Sequence, residues 1–251
     1  MTPAERFKDH FSDVAAAYAA HRPSYPPGLG DFLARLAPAK RLAWDAGCGS
    51  GQLSLLLAGV FERVVATDAS PEQISQAARH PGVEYRCGRA EASGLPERVA
   101  DVATAAQAAH WFDLPAYYAE VRRVVRPGGV VALISYGVVT AGPDLDAVIQ
   151  PFYREVLARY WPPERRHVDA GYRSLPFPFD ELDAPPFEIR LDWRLEDLVG
   201  YVGTWSAVWA LEQAAGPGPF ATFRRELEAR WGTPPAVRAV RWPLALRVGR
   251  V

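Results

Sequence analysis

Three glycines at alternate positions follow an apolar segment that ends in an aspartate. Gly47, Gly49 and Gly51 come just after Asp45, and Asp68 closes the next apolar segment. Glycine permits a positive φ and lets the backbone approach a ligand without a Cβ in the way. An acid at the end of the second strand can accept two hydrogen bonds from ribose hydroxyls. This spacing predicts a nucleoside-binding turn, and a plain strand-to-helix connection is the structural alternative.

The spacing within the turn indicates which nucleoside it suits. The dinucleotide fingerprint is GxGxxG, and a pyrophosphate favours a free helix N-terminus. Here the spacing is GxGxG, with Asp45 two residues before the first glycine. S-adenosylmethionine has no phosphate, and an acid beside the turn suits its ammonium and sulfonium charges. The pattern favours S-adenosylmethionine. An NAD-dependent oxidoreductase and a non-catalytic protein that keeps the nucleoside fold to bind a partner are the alternatives.

Predicted strands and helices alternate around this turn. Strands are predicted at 41–47, 63–68, 83–88, 101–108, 130–137 and 187–193 and in the closing RWPLALRVGRV, with helices between them that include 51–59, 113–125, 195–211 and 219–231. Ser70 is the predicted N-cap of one helix, with Pro71 at its first position and Gln73 completing a capping box. The alternation predicts a parallel sheet with helices on both faces. Pro243 in the last strand suits an edge or a bulge.

Composition restricts the class of partner. The net charge is −1, from 28 basic and 29 acidic residues, and no basic run stands out, so no nucleic-acid partner is expected. No signal core and no apolar stretch of about 18 residues is seen, which predicts a cytoplasmic protein without a membrane span. Two cysteines and five histidines show no metal-binding spacing, so no metal is expected. A monomer or a homodimer is compatible with this composition.

Five motifs carry a resemblance to a known family. They are DAGCGSG (45–51), ATD (66–68), GRAEASGLP (88–96), DVATAAQAAHWFD (101–113) and RRVVRPGGVVAL (122–133). With them the sequence resembles the class I S-adenosylmethionine-dependent methyltransferases, type 11-like, over roughly residues 40–137. The strings QAAHWFD and YAAHRPSYP are similar to a small-molecule branch that includes the trans-aconitate methyltransferases. The resemblance implies an α/β, Rossmann-like, doubly wound sheet of seven strands, the last antiparallel, with an insertion after the fifth strand.

The resemblance also divides the chain into functional segments of a single methyltransferase domain. They are an N-terminal helical lid (1–39), a cofactor-binding core (40–137), a substrate-side insertion (138–186) and a C-terminal sheet with helices (187–251). In relatives the first segment folds over the cofactor, which implies contacts from Tyr18 and Arg22. The alternative is that Tyr18 packs in the core and Arg22 lies in a solvated turn.

The resemblance further assigns residues to S-adenosylmethionine. It assigns Asp45, Gly47 and Gly49 to the methionine moiety, Asp68 to the ribose hydroxyls, Ala69 to the adenine and Gln107 to the neighbourhood of the methyl group. In many relatives an Asp after the third strand contacts the adenine amino group. Arg89 stands at the nearest position here, so this contact is assigned to the Ala90 backbone, with help from Glu91.

The remaining candidates concern the methyl acceptor. His110, just past the fourth strand, could orient a substrate or act as a base near neutral pH, and the alternative is that it caps the next helix while Trp111 packs. The insertion holds a group of polar residues that could bind an acidic substrate, since guanidinium groups bind carboxylates: Arg165, Arg166, His167 and Tyr172. Surface positions for the arginines are favoured in an Arg-rich chain. Trp205 and Trp209, spaced i, i+4, are predicted to pack in the core from one helix. The expected function is methyl transfer to a small-molecule acceptor by in-line displacement, with His110 and Gln107 as catalytic candidates.

Overall fold

The computed structural model describes residues 23–233 and 235–251. Within these residues, five parallel strands form the centre of the sheet in the order β3-β2-β1-β4-β5. They are β1 (Leu42–Ala46), β2 (Arg63–Asp68), β3 (Val83–Cys87), β4 (Ala100–Ala106) and β5 (Val125–Tyr136). The order reverses at β1, so the carboxyl ends of β1 and β4 open a crevice where ligands of such sheets bind. The predicted parallel sheet is confirmed.

The last strand, β8 (Arg238–Arg250), runs antiparallel to β5, as expected. Its second half pairs with β5 and, near the end, with the short strand β6 (Asp180–Leu182), whereas its first half pairs with β7 (Glu188–Trp193). Pro243 lies where the pairing changes, since it is opposite Glu188 of β7 while the next residue is opposite Tyr136 of β5. A residue without an N–H is tolerated at such a junction.

Helices cover both faces of the sheet. They are α1 (Pro27–Leu36), α2 (Gln52–Ala58), α3 (Pro71–Ser75), α4 (Leu114–Val124), α5 (Pro143–Pro151), α6 (Arg165–Asp169), α7 (Leu195–Gly203), α8 (Ser206–Ala215) and α9 (Gly218–Trp231). Alternate strand residues enter two different apolar cores: Ala43 and Val64 in one, Trp44 and Val65 in the other. This is the arrangement of a doubly wound sheet. None of the described helices is both long and apolar enough to cross a membrane.

The start of α3 matches half of the predicted capping box. Ser70 Oγ accepts a hydrogen bond from the Gln73 backbone N–H at 3.2 Å, and Pro71 occupies the first helical position. The reciprocal bond is not made by the Gln73 side chain. The Ser70 N–H instead donates to Asp68 Oδ1 at 2.9 Å, from the carboxylate that ends β2. The cap therefore ties this helix to the end of β2.

Two predicted element boundaries are wrong. The helix predicted over 195–211 is divided into α7 and α8, because Trp205 adopts an extended conformation between them and packs its ring against Trp161 and Tyr153. Trp209 is 53% exposed and is not part of the core. The fifth strand begins at Val125, five residues earlier than predicted, since Val125 already pairs with Ala100 across a register shift.

Candidate cofactor and acceptor site

The turn between β1 and α2 is built from glycines in the left-handed region. Gly47, Gly49 and Gly51 have φ values of 66°, 55° and 90°. A Cβ on Gly47 would lie 2.5 Å from the Cβ of Ala108, so this glycine is needed for packing within the chain. A Cβ on Gly49 would meet nothing closer than Gln73 Oε1 at 3.7 Å. Gly49 is thus the position in the turn where the backbone is open to an approaching molecule.

Asp68 holds this turn against the end of β2. Its Oδ2 accepts a hydrogen bond from the Gly49 N–H at 2.8 Å, and its Oδ1 accepts from the Ser70 N–H. Burial raises the pKa of Asp68 above its ordinary value, while these backbone hydrogen bonds oppose the shift. A carboxylate has about four acceptor positions, so two bonds leave capacity for further donors. This geometry fits a carboxylate that receives a pair of hydroxyls beside an open glycine.

Asp45 lies beneath the turn rather than on its surface. It is 1% exposed, and its two oxygens accept hydrogen bonds from Ser54 Oγ at 2.6 Å and from Thr104 Oγ1 at 2.9 Å. Burial raises its pKa to about 6. These bonds tie β1 to α2 and to β4, so the observed role of Asp45 is to support the turn. Its contact with a methionine moiety stays a prediction.

The residues assigned to the adenine differ in accessibility. Ala69 is exposed at the end of β2, whereas the side chain of Ala90 is buried. Glu91 is engaged within the chain, because its Oε1 accepts from the Asp113 N–H at 2.9 Å and its Oε2 lies 3.2 Å from Arg89 Nε. Glu91 therefore positions the start of α4. The adenine contacts of these residues stay predictions.

Gln107 is a strained residue at the carboxyl end of β4. Its φ is 54°, a conformation that non-glycine residues adopt rarely and that clusters at functional sites. Its Nε2 donates to the Tyr136 carbonyl at 2.8 Å, and its N–H donates to the Ile134 carbonyl. The Oε1 atom is buried and makes no hydrogen bond within the described chain. A buried acceptor without a donor indicates a missing polar partner at this end of the sheet.

His110 lies on a 3₁₀ turn, Ala109–Trp111, just after β4. Its Nδ1 is 2.8 Å from the Tyr172 hydroxyl, which comes from the segment after α6. Burial lowers the pKa of His110 to about 3, with further lowering from the positive charge of Arg165, so the imidazole is neutral. The structural alternative is wrong for the cap, since Asp113 caps α4. Trp111 is 40% exposed, but its ring packs against His110 with the two ring centroids 4.7 Å apart.

Comparisons with known proteins decide the family. Residues 44–133 match the family model described as a methyltransferase domain. A Dictyostelium discoideum protein, provisionally named a methyltransferase, is 34% identical over 213 residues, which cover 83% of this chain and 81% of the relative. The chain belongs to the class I S-adenosylmethionine-dependent methyltransferases.

Solved structures agree with this assignment. An Anaeromyxobacter dehalogenans protein, provisionally described as a type II methyltransferase, is 53% identical and superposes with a TM-score of 0.87, over 91% of this chain and 97% of its own. An Anabaena variabilis protein at 18% identity and a TM-score of 0.53 shares the fold alone. S-adenosylmethionine is therefore the cofactor of this methyltransferase. The family assignment excludes the oxidoreductase and non-catalytic alternatives. The trans-aconitate-like branch stays a prediction.

Two further predictions for this methyltransferase have different outcomes. Tyr18 and Arg22 lie outside the described residues, so their contacts stay predictions. Arg165 was expected at the surface, but its side chain is only 22% exposed. Its i, i+4 spacing to Asp169 is the sequence signal that could have indicated an ion pair between the two. Among the described residues no cluster of histidine, cysteine or carboxylate side chains could hold a metal ion.

Proposed function

We propose that this methyltransferase transfers the methyl group of S-adenosylmethionine to a small-molecule acceptor by in-line displacement. The observation that carries the proposal is the pairing of Asp68 with Gly49. A carboxylate with spare acceptor positions lies beside the one glycine of the turn that a Cβ would not bring into close contact. The acceptor would enter at the ends of β4 and β5, beside Gln107 and His110.

The residues of the turn fit the adenosyl and methionine parts of the cofactor. Asp68 would accept the ribose hydroxyls, and the exposed Ala69 would line the adenine. Gly49 would allow close backbone approach, and the unpaired Oε1 of Gln107 offers an acceptor to a donor group or a positive charge. When bound, S-adenosylmethionine supplies a methyl group already activated by its sulfonium, so the protein has mainly to align the reactants and exclude water.

On the acceptor side, the residues are better suited to positioning the methyl acceptor than to removing a proton from it. With a pKa of about 3, His110 holds a proton too weakly to be an efficient base near neutral pH. Its Nδ1 is engaged by Tyr172, and its Nε2 makes no hydrogen bond to any described residue. We therefore assign His110 to orienting the acceptor. A carboxylate nucleophile would need no base at all.

Calorimetry with S-adenosylhomocysteine tests the cofactor assignment. Asp68→Ala removes the predicted acceptor of both ribose hydroxyls, and charge-assisted hydrogen bonds contribute about 1.5–3 kcal/mol each. We expect the variant to bind S-adenosylhomocysteine at least about tenfold more weakly than the wild-type chain. NAD should not bind to either protein.

Asp192→Ala is the matched control, because Asp192 is an exposed carboxylate on β7. It should leave the affinity for S-adenosylhomocysteine unchanged. Equal affinities of the wild-type chain and the Asp68→Ala variant would refute the ribose assignment. Separately, a screen of small acids, phenols and amines with labelled S-adenosylmethionine would identify the class of acceptor.

A further inference from the structure

A positively charged side chain lies among aromatic rings near the proposed acceptor position. The guanidinium of Arg165, the first residue of α6, is 4.9 Å from the ring centroid of Trp161 and 5.5 Å from that of Tyr153. Trp205 packs against both of these rings. Aromatic faces attract a guanidinium and exclude water around it, which strengthens its interaction with any anion that reaches it.

Within the part of the chain that the structure describes, the hydrogen bonds of Arg165 use one side of its guanidinium. Nε donates to the Tyr153 hydroxyl at 2.7 Å and lies 3.5 Å from Asp169 Oδ1. The two Nη atoms make no hydrogen bond to any described residue. A guanidinium is planar, and its paired Nη groups match the two oxygens of a carboxylate or phosphate. Among residues 23–233 and 235–251, one binding edge of Arg165 is therefore uncommitted.

Asp169 compensates the charge of Arg165 only in part. Its side chain is 45% exposed, its distance to Nε is longer than a good hydrogen bond, and the same Oδ1 accepts from the Tyr153 hydroxyl at 2.6 Å. An ion pair of this geometry and exposure is weak. A second anion can thus bind on the Nη edge without displacing a strong partner.

The position of α6 connects this group to the candidate active site. The helix packs against the 3₁₀ turn that carries His110. Tyr172, just after α6, is fully buried, donates its N–H to the His167 carbonyl and reaches His110 with its hydroxyl. The lowered pKa of His110 includes a contribution from the charge of Arg165, which agrees with this proximity.

We propose that Arg165 anchors an anionic oxygen group, a carboxylate or a phosphate, of the methyl acceptor through its uncommitted Nη edge. The aromatic rings around it would contact an apolar part of the same molecule. The proposal rests on the proposed function, because it takes the end of β4 as the place of methyl transfer. It assigns Arg165 to acceptor specificity, and the cofactor contacts of the glycine turn do not depend on it.

A purely structural role is the competing explanation. Arg165 could serve only to hold Tyr153 and Trp161 together, and its removal would then lower stability without altering the choice of ligand. The test must therefore compare charged and neutral ligands of one shape. Phenylacetate, phenyl phosphate and the neutral phenylacetamide form such a set.

Calorimetry on the full chain, with and without saturating S-adenosylhomocysteine, measures these affinities. The wild-type chain should bind at least one of the two anions at least about tenfold more tightly than phenylacetamide, and the preferred anion identifies carboxylate or phosphate. Arg165→Met should abolish that preference, Arg165→Lys should restore part of it, and the exposed neighbour Arg166 serves as the control in Arg166→Met. Equal affinity of the wild-type chain for acids and amide, or an unchanged preference in Arg165→Met, would overturn the proposal.

Asp169→Asn provides a second test that does not require loss of Arg165. It removes the competing negative charge while keeping an oxygen for the Tyr153 hydroxyl, so the preferred anion should bind several-fold more tightly. If Arg165→Met does not fold, unchanged or weaker anion binding by Asp169→Asn refutes the anchor. Binding of S-adenosylhomocysteine is recorded separately, so failure of the cofactor assignment is distinguished from failure of the anchor.

Discussion

The glycine turn and the proposed acceptor side of the site are built in different ways. In the turn, Asp68 and Gly49 are hydrogen-bonded across 19 residues of sequence, and Asp45 reaches Ser54 across 9. On the acceptor side, the hydroxyl of Tyr172 meets His110 across 62 residues. The hydrogen bonds of the turn are therefore made mostly within one strand–turn–helix unit and the end of the neighbouring strand, although Asp45 beneath it also accepts from Thr104 across 59 residues. The acceptor side exists only after the insertion has folded onto the sheet.

The same physical cause produces opposite pKa shifts in the two regions. Burial disfavours the charged form of any group. It raises the pKa of Asp45 to about 6 beneath the turn and lowers that of His110 to about 3 on the acceptor side. The support of the turn therefore carries a buried acid, whereas the proposed acceptor side presents a neutral imidazole at neutral pH.

The largest expected effect is a loss of stability that differs between two glycines of the turn. Gly47→Ala should lower the free energy of unfolding by about 3 kcal/mol, because its Cβ would meet Ala108 and its φ of 66° is unfavourable for alanine. Gly49→Ala should cost only about 1 kcal/mol but should weaken S-adenosylhomocysteine binding. Chemical denaturation and calorimetry measure the two quantities. Similar losses of stability in both variants would contradict the division of roles.

The second effect is a pH dependence that originates beneath the turn. The native state favours the protonated form of Asp45, so its contribution to stability is complete below the ordinary pKa of 3.8 and is lost as the pH rises through about 6. The wild-type chain should therefore lose about 2 kcal/mol relative to Asp45→Asn between pH 4 and pH 7. Denaturation at each pH measures this difference, and the exposed Asp192→Asn is the control. If the free energies of unfolding of the wild-type chain and Asp45→Asn differed by the same amount at every pH, the raised pKa of the buried Asp45 would be contradicted.

His110 should show the opposite slope, which sharpens the contrast between the regions. Because its folded pKa lies below the unfolded value of 6.5, its stability contribution is complete above pH 6.5 and is lost as the pH falls toward 3. As the pH rises through this range, the free energy of unfolding of the wild-type chain should therefore increase relative to that of His110→Gln. A His110 imidazole that titrates near pH 6.5 by NMR would contradict this expectation.

The smallest effect concerns the contact between Tyr172 and His110. Tyr172→Phe removes a buried hydroxyl that lies 2.8 Å from Nδ1, and a hydrogen bond of this kind contributes about 1 kcal/mol. We expect that loss in denaturation, with no change in S-adenosylhomocysteine affinity, since the turn makes its own contacts. A large loss of cofactor affinity in this variant would show that the two regions are coupled.

The sequence determined the central sheet and the turn because their signals are local. Alternating apolar segments predict parallel strands, and Ser70 with Pro71 marks the start of a helix from neighbouring residues alone. The glycine spacing and the acid that ends β2 likewise follow from the chain order. The split at Trp205 escaped prediction, because a ring that packs against Trp161 and Tyr153 decides it.

What only the tertiary structure decided is the environment of each charged group. The sequence established that Asp45 and Asp68 flank a glycine turn, but burial made the first a support and left the second with spare acceptor positions. It also named Arg165 without indicating that aromatic rings enclose it. Chain order determines which residues can be neighbours in an element, whereas desolvation depends on contacts between distant segments, and those exist only in the folded chain.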